Sequence, residues 1–410
     1  VLGLSAPFRS RRTSCLLLAF LFSLAAPVSP ARASFFDTFG ASARGMALGN
    51  SMAAISEGWA SLYYNPAALA LSEDVEFSIG LFSANPEKSG QIVVGPEGEP
   101  RPPRDLENIT GPSFGLVVPI QRLTPKRLPM PWAIGVGVFV PRQALSTTML
   151  IKPSFPFDVV FQERNQTLAL HFGISTRITS AVYLGLGFVS QVSTPVDLVF
   201  TPVDARGRES RTQFSTPSVL GGILVRPSER LRLGLVYRQE CTLESTWAIH
   251  FRVPDIPGIP ESPILTSYVL GFVPENIAFG AAYTITERWR ISGELAWYRW
   301  GAYEGPYKSA PEGIFKDIVV PRIGVMYRIT RKLEARGGFY YEPTPVPKQS
   351  TGAAYPIGND RFVPSVGIGY TFRAPWGILA KPLTLDAYFQ YHILMGRDSH
   401  YRPIDPDDQD

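Results

Sequence analysis

Beyond residue 33 the chain alternates apolar and polar side chains with a period of two, and no stretch reaches 18 consecutive apolar residues. Leu231, Leu233, Leu235 and Tyr237 share one face of Leu231–Arg238, with Arg232, Gly234, Val236 and Arg238 on the other. Leu383, Leu385, Ala387, Phe389 and Tyr391 stand opposite Thr384, Asp386, Tyr388, Gln390 and His392 in the same way. In Leu168–Arg177 the apolar face is Leu168, Leu170, Phe172 and Ile174, with His171 and Arg177 opposite. This is strand periodicity, and it excludes a helical membrane protein. A soluble sandwich alternates too, but it must bury all its apolar faces in one core. Here many bulky apolar faces stand against faces of Arg, Glu, Asp and Gly, as a transmembrane barrel requires, apolar toward lipid and polar inward.

Thirteen strands are expected, near 73–83, 111–120, 132–141, 164–178, 181–200, 211–226, 230–251, 269–284, 288–303, 316–329, 332–345, 358–373 and 382–396. Gly and Pro, 36 and 38 of 410 residues, exceed their usual share of about 12% together, as a turn-rich chain demands. A weak repeat marks some of the turns: Arg226–Leu233, Thr284–Ile291 and Arg328–Ala335, with Arg177–Leu184 as a fainter copy. Each is a short polar turn opening a new alternating strand. Long, Pro-rich intervals (84–110, 142–163, 251–268, 302–315, 344–358) alternate with these turns, which is the outer-membrane arrangement of short turns on one side and long loops on the other. Single-chain bacterial barrels use an even number of strands. A closing fourteenth strand is therefore expected to be missing from this sequence, leaving 397–410 as an incomplete extracellular loop or tail after a barrel of 73–396. The lesser alternative is one early strand hidden in 84–110.

Residues 1–33 read as a cleaved signal peptide. Arg9, Arg11 and Arg12 precede the apolar run Cys15–Ala26, and Ala31-Arg32-Ala33 supplies a small-x-small cleavage site. Twelve apolar residues fall short of the roughly 20 that span a bilayer as a helix. The net charge of +4 comes from this leader: without its four Arg, 35 basic residues face 35 acidic ones. The basic pI therefore gives no reason to expect a nucleic-acid partner. Cys15 and Cys241 are too few for a disulfide framework or a cysteine zinc site. His171, His250, His392 and His400 lack metal-ligand spacing, and His171 and His392 are expected to point into a wet lumen. Gly111-Pro-Ser-Phe-Gly115 matches a nucleophile-elbow pattern, but it opens a strand instead of joining a strand to a helix, so no enzyme is expected. No cofactor or metal is expected either.

Residues 34–72 lack alternation, are rich in Ala, Gly and Ser, and contain a short helix. Thirty-nine residues are too few for a domain of their own, so they are expected to fill the lumen as a hatch. Gly135/Gly137, Gly185/Gly187 and Gly367/Gly369 would let such a hatch approach the wall, or would simply relieve barrel curvature. Phe35, Phe36 and Phe39 are candidate substrate-lining residues. Pro141, on the inward face at the end of the third strand, lacks an N–H and marks either a local gap or a plain strand end.

Several stretches carry a resemblance. They are Gly40-Ala-Ser-Ala-Arg-Gly45 through Tyr63-Tyr-Asn-Pro-Ala67, Arg230–Glu240, Pro274–Tyr303, Arg336-Gly-Gly-Phe339 with Glu342-Pro-Thr-Pro-Val-Pro347, and Asn359-Asp-Arg361 leading to Val366–Tyr370. Together they resemble the FadL/TodX-type outer-membrane transporters of long-chain fatty acids and aromatic hydrocarbons, from about 34 to 397. The resemblance implies a 14-stranded barrel with an N-terminal hatch that includes Arg44, Gly45, Asn65, Pro66 and Ala67. It implies passive uptake of a hydrophobic small molecule from outside and lateral release through the wall, near Gly135, Gly137 and Pro141. Lipopolysaccharide and outer-membrane lipid would surround a monomer in the outer membrane of a Gram-negative-type bacterium. Phe315-Lys316-Asp317 resembles the family's aromatic-Lys-Asp, and strand parity puts Lys316 on the luminal face, where it could bind a carboxylate. A general porin or a non-transporting scaffold of the same fold is the alternative.

Overall fold

The computed structural model describes residues 39–85, 109–124, 129–140, 167–193, 217–251, 264–303, 315–345, 360–373 and 382–395. It also describes short strand pieces at 92–93, 100–101, 147–152, 155–160, 197–200, 205–208 and 213–214. Its main sheet runs through thirteen antiparallel strands in chain order. They are β1 Glu76–Ala84, β2 Ile109–Pro119, β3 Trp132–Phe139, β4 Thr167–Arg177, β5 Val182–Ser193, β6 Ser218–Val225 and β7 Leu231–Arg238. The sheet continues with β8 Asn276–Thr284, β9 Trp289–Tyr298, β10 Ile318–Arg328, β11 Leu333–Glu342, β12 Arg361–Phe372 and β13 Leu383–Gln390. Every expected strand is present. Three lose their outer part to a separate four-stranded sheet: the span 230–251 breaks after Arg238 and 269–284 before Asn276, so that Cys241–Phe251 pairs with Ile264–Val273 outside the main sheet. The span 181–200 likewise ends its run in the main sheet at Ser193.

The repeat seen in the sequence is a turn with a built-in acceptor. Thr179, Ser228, Thr286 and Thr330 each accept two backbone N–H groups through the side-chain oxygen, at 3.0–3.3 Å. That closes the chain sharply with the donors satisfied, so the next strand starts at once.

The faces divide as the alternation requires. Phe77, Ile79, Leu81, Leu186, Phe279, Ile323, Val366 and Leu385 are exposed on the outside, Leu81 by 78%. A band of exposed large apolar residues on strand after strand is no water-facing surface. No helix among the described residues is long and apolar enough to cross a membrane.

The sheet rolls round the segment that precedes it. The rings of Phe82 on β1 and Tyr388 on β13 stack 6.4 Å apart, although no backbone ladder joins these edge strands among the described residues. Inside lie α1 Ala43–Ala47, a 3-10 turn at Gly58–Ala60, α2 Ser61–Tyr64 and a second 3-10 turn at Pro66–Leu71. The main buried cluster is made between this inner segment and the wall: Leu48, Met52, Ile55, Leu62 and Leu69 with Val117, Phe139 and Met326. Residues 1–33, Phe35, Phe36, Pro141 and 397–410 lie outside the described residues.

Candidate functional site

The inner segment sits against the wall where the wall has no side chains. A Cβ on Gly115 would strike Trp59, one on Gly135 would meet Leu69 and Leu62, and one on Gly185 the Pro66–Ala67 backbone. Gly222 faces Asn65 and Pro66, Gly234 and Gly280 face Ala53, Gly324 and Gly338 face Leu48 and Gly49, and Gly367 faces Ala47. The expected pairs divide: Gly135, Gly137, Gly185 and Gly367 touch the segment. Gly187 instead meets the backbone of Phe172, and Gly369 meets Arg336 and Asp386.

Polar groups fix the seat. Gly49 and Asn50 both take left-handed φ, 60° and 58°, and the resulting turn lets the Gly49 N–H donate to Ser365 Oγ at 3.1 Å. Asn65 donates to Ala53 O at 2.6 Å and across to Ile223 O on β6 at 3.1 Å, while its Oδ1 accepts from Ala67 N. Pro66 then starts the 3-10 turn. Ala67 is small enough to lie on Gly185, and its carbonyl accepts from Ser175 Oγ on β4 at 2.8 Å. This explains why Asn, Pro and Ala occur in that order. Arg44, in α1, ion-pairs with Glu57, and Gly45 leaves room for the Tyr64 ring. Tyr64 donates to Asn50 Oδ1 at 2.7 Å and accepts from Ala41 N; burial pushes its hydroxyl pKa well above the ordinary tyrosine value.

Two wall residues at this level are charged, Glu294 and Arg322. Gly234, Gly280, Glu294, Arg322 and Tyr340 are successive cross-strand partners on β7 to β11. Glu294 Oε2 accepts from Met52 N at 2.9 Å and Ala53 N at 2.8 Å. Its Oε1 pairs with Arg322, which also donates to the Tyr298 hydroxyl at 2.6 Å.

Toward the long-loop end the lumen narrows to a polar cavity of about 30 Å³ between Tyr63, Tyr64 and Asn50 below and Arg238, Glu294, Tyr298, Arg322 and Tyr340 around it. That is room for water and not for an alkyl chain. Arg238 donates to Tyr63 O at 2.7 Å and lies over its ring. Beyond the cavity the lining turns apolar: Ile318, Val320, Tyr340 and Val363 pack with Tyr298 and Trp300. From there rings follow one another outward, Trp300 to Phe272 at 5.8 Å, Phe272 to Tyr303 at 5.0 Å, and Tyr303 to Phe315 at 4.8 Å.

Of the expected substrate residues, Phe39 packs on Phe82 at 4.9 Å and His392 at 5.2 Å, at the seam between β1 and β13. Lys316 is exposed, and its backbone N–H bonds Pro345 O at 2.9 Å. Its inward parity does not hold because pairing of β10 begins only at Ile318, opposite Tyr298; ahead of it Phe315 is the buried residue. The structure thus separates Phe39 from Lys316 instead of gathering them. Gly135 and Gly137 lie in a β3 that is laddered to β2 and β4 on both sides, so the described part of that strand holds no gap. His171 does not face a wet lumen: it is 1% exposed, with the Tyr63 ring 6.2 Å away, because the inner segment covers it. His392, between Phe39 and Tyr340, is likewise packed among rings. The aromatic run escaped the sequence reading, although Trp297-Tyr-Arg-Trp-Gly-Ala-Tyr303 is dense in rings.

Against known proteins, the family described as outer membrane protein transport protein (OMPP1/FadL/TodX) matches residues 211–402. Alkane uptake protein A of Marinobacter nauticus is 25% identical over 432 aligned positions, covering 96% of this chain and 91% of that one. The crystal structure of a Pseudomonas aeruginosa FadL homologue superposes with a TM-score of 0.56 at 16% identity, covering 90% of this chain and 92% of the other. The deltaS2 mutant of the TodX monoaromatic hydrocarbon channel gives 0.51 at 17%, over 82% and 90%. These two likenesses show a common fold.

Proposed function

We propose that this chain, whose residues 211–402 match the FadL/TodX family of outer-membrane transport proteins, is a passive uptake channel for hydrophobic compounds, with saturated hydrocarbons its substrate class. The aromatic run Phe315–Tyr303–Phe272–Trp300 carries this reading. A hydrocarbon enters such a lining readily, and a water-filled porin offers nothing comparable. The inner segment acts as a hatch: it is keyed to the wall from β2 to β13 and leaves a cavity too small and too polar for the substrate to continue toward the tight turns. Release is therefore sideways, into the surrounding lipid. The protein works as a monomer amid lipid and lipopolysaccharide, and its work is transport, not catalysis. The name of the Marinobacter relative, an alkane uptake protein, agrees with this class.

Cells expressing the protein should take up labelled hexadecane faster than cells lacking it, and Trp300→Ala with Tyr303→Ala should cut the gain about tenfold, the equivalent of withdrawing about two methylene groups from apolar contact at roughly 0.8 kcal/mol each. Lys316→Ala should leave hexadecane uptake unchanged. No gain over the empty strain, with a large steady conductance in planar bilayers, would establish a porin instead.

A further inference from the structure

We propose that the mouth at the tight-turn end, beneath the hatch, binds a phosphate-type oxyanion, either free phosphate or the phosphomonoester of a lipid head group. Arg232 on β7, Arg290 on β9 and Arg328 at the end of β10 share the inward parity of their strands at that end. Arg44 of α1 reaches the same region, its Nη2 lying 3.4 Å from Met326 Sδ. Arg232 lies in the field of Arg290, Arg226 and Arg44, and Arg290 in that of Arg44 and Arg328.

The carboxylates nearby are already paired. Glu57, which both Arg232 and Arg290 feel, ion-pairs with Arg44. Glu334 and Asp386 both pair with Arg336. Among the described residues, no carboxylate comes within ion-pair distance of Arg232, Arg290 or Arg328. Half-buried guanidiniums held together repel one another, and an anion between them reverses the sign of that interaction.

A cleft of about 270 Å³ opens beside them, lined by Arg44, Arg328, Arg331, Lys332 and the Arg336–Glu334 ion pair, with Thr330, Thr371 and Thr384. Its cations outnumber the one carboxylate, which Arg336 already compensates, and forked guanidinium donors facing one space suit a tetrahedral oxyanion of two charges. Bound there, the anion bridges Arg44 of the hatch to Arg328 of the wall and lies in the field of Arg290, so it also tightens the hatch seat.

Calorimetric titration of the purified full-length protein with inorganic phosphate, and separately with short-chain phosphatidic acid below its micelle concentration, tests this. Binding of either is expected, weakened tenfold or more by Arg290→Gln and unaffected by Arg288→Gln in the exposed turn. Binding of the lipid alone identifies a head group as the source, and binding of both identifies the phosphate itself as the recognised group. Thermal melts add a readout that a merely structural arginine would not give. In phosphate-free buffer Arg290→Gln should melt higher than the wild type, because a repulsion is removed. Added phosphate should then raise the wild-type melting temperature and leave that of the variant in place. No binding of either compound, or equal losses in Arg290→Gln and Arg288→Gln, would overturn the site.

Discussion

Glu294→Ala is expected to destabilise the protein by about 3–5 kcal/mol and to make it leak ions, because it removes both halves of one carboxylate's work. Oε2 holds the Met52 and Ala53 N–H groups of the hatch, and Oε1 compensates Arg322. Removing one partner of a buried pair leaves a charge that neither water nor protein satisfies, which is the source of that magnitude. Arg322 keeps its bond to Tyr298, but a phenol does not neutralise a guanidinium. Glu294→Gln should be milder, since its amide oxygen can still accept from the hatch while the charge is lost. Pairing Glu294→Ala with Arg322→Met separates the two roles in a double-mutant cycle: stability should largely return, while the hatch stays unpinned and the leak remains. The measurements are thermal melts and planar-bilayer conductance. A Glu294→Ala protein that conducts no more than the wild type would show that the hatch does not depend on this pin.

The wall was legible in the sequence because a strand's parity is local. Leu231–Arg238 and Leu383–Gln390 carry their inside and outside faces in the spelling of ten residues. What stands opposite an inward residue is not local. Parity put His171 inside correctly, yet whether that inside is water or protein depended on Tyr63, more than 100 positions earlier. Nothing in the spelling around Glu294 points to the hatch N–H groups it holds, which lie 241 and 242 residues away. Parity also ends where the ladder ends, so it could not be carried from Ile323 back to Lys316, two residues before pairing starts at Ile318. Glycine shows the same limit. Gly185 and Gly187 are alike in sequence and in face, but only Gly185 lies where Pro66 and Ala67 pass.

That difference gives the sharpest test of the hatch, at two adjacent residues of β6. Gly221 faces outward, and a Cβ there meets nothing within 4 Å. Gly222 faces inward, and a Cβ there would strike the Asn65 amide and come within 2.8 Å of Pro66 Cδ. Gly221→Val should therefore be silent or slightly stabilising, since it adds a β-branched residue to an apolar outer face. Gly222→Val has no such room. The wall backbone is held by ladders to β5 and β7, so the hatch must give way, and with it the Asn65 bonds to Ala53 and Ile223. Overpacking alone costs about 1–3 kcal/mol, and the two bonds add about 1 kcal/mol each, enough to shift the hatch from seated to displaced in a large fraction of molecules. Gly222→Val is expected to raise steady conductance at least tenfold over the wild type and over Gly221→Val, since the uncovered lumen holds Arg238, Arg322 and Glu294 and would fill with water. Hydrocarbon uptake should fall, because the apolar run would then end in an aqueous pore. Heat-modifiable migration on gels shows whether the barrel itself survives. Two variants with intact barrels and equal conductance would mean that the hatch is not held by its fit to the wall.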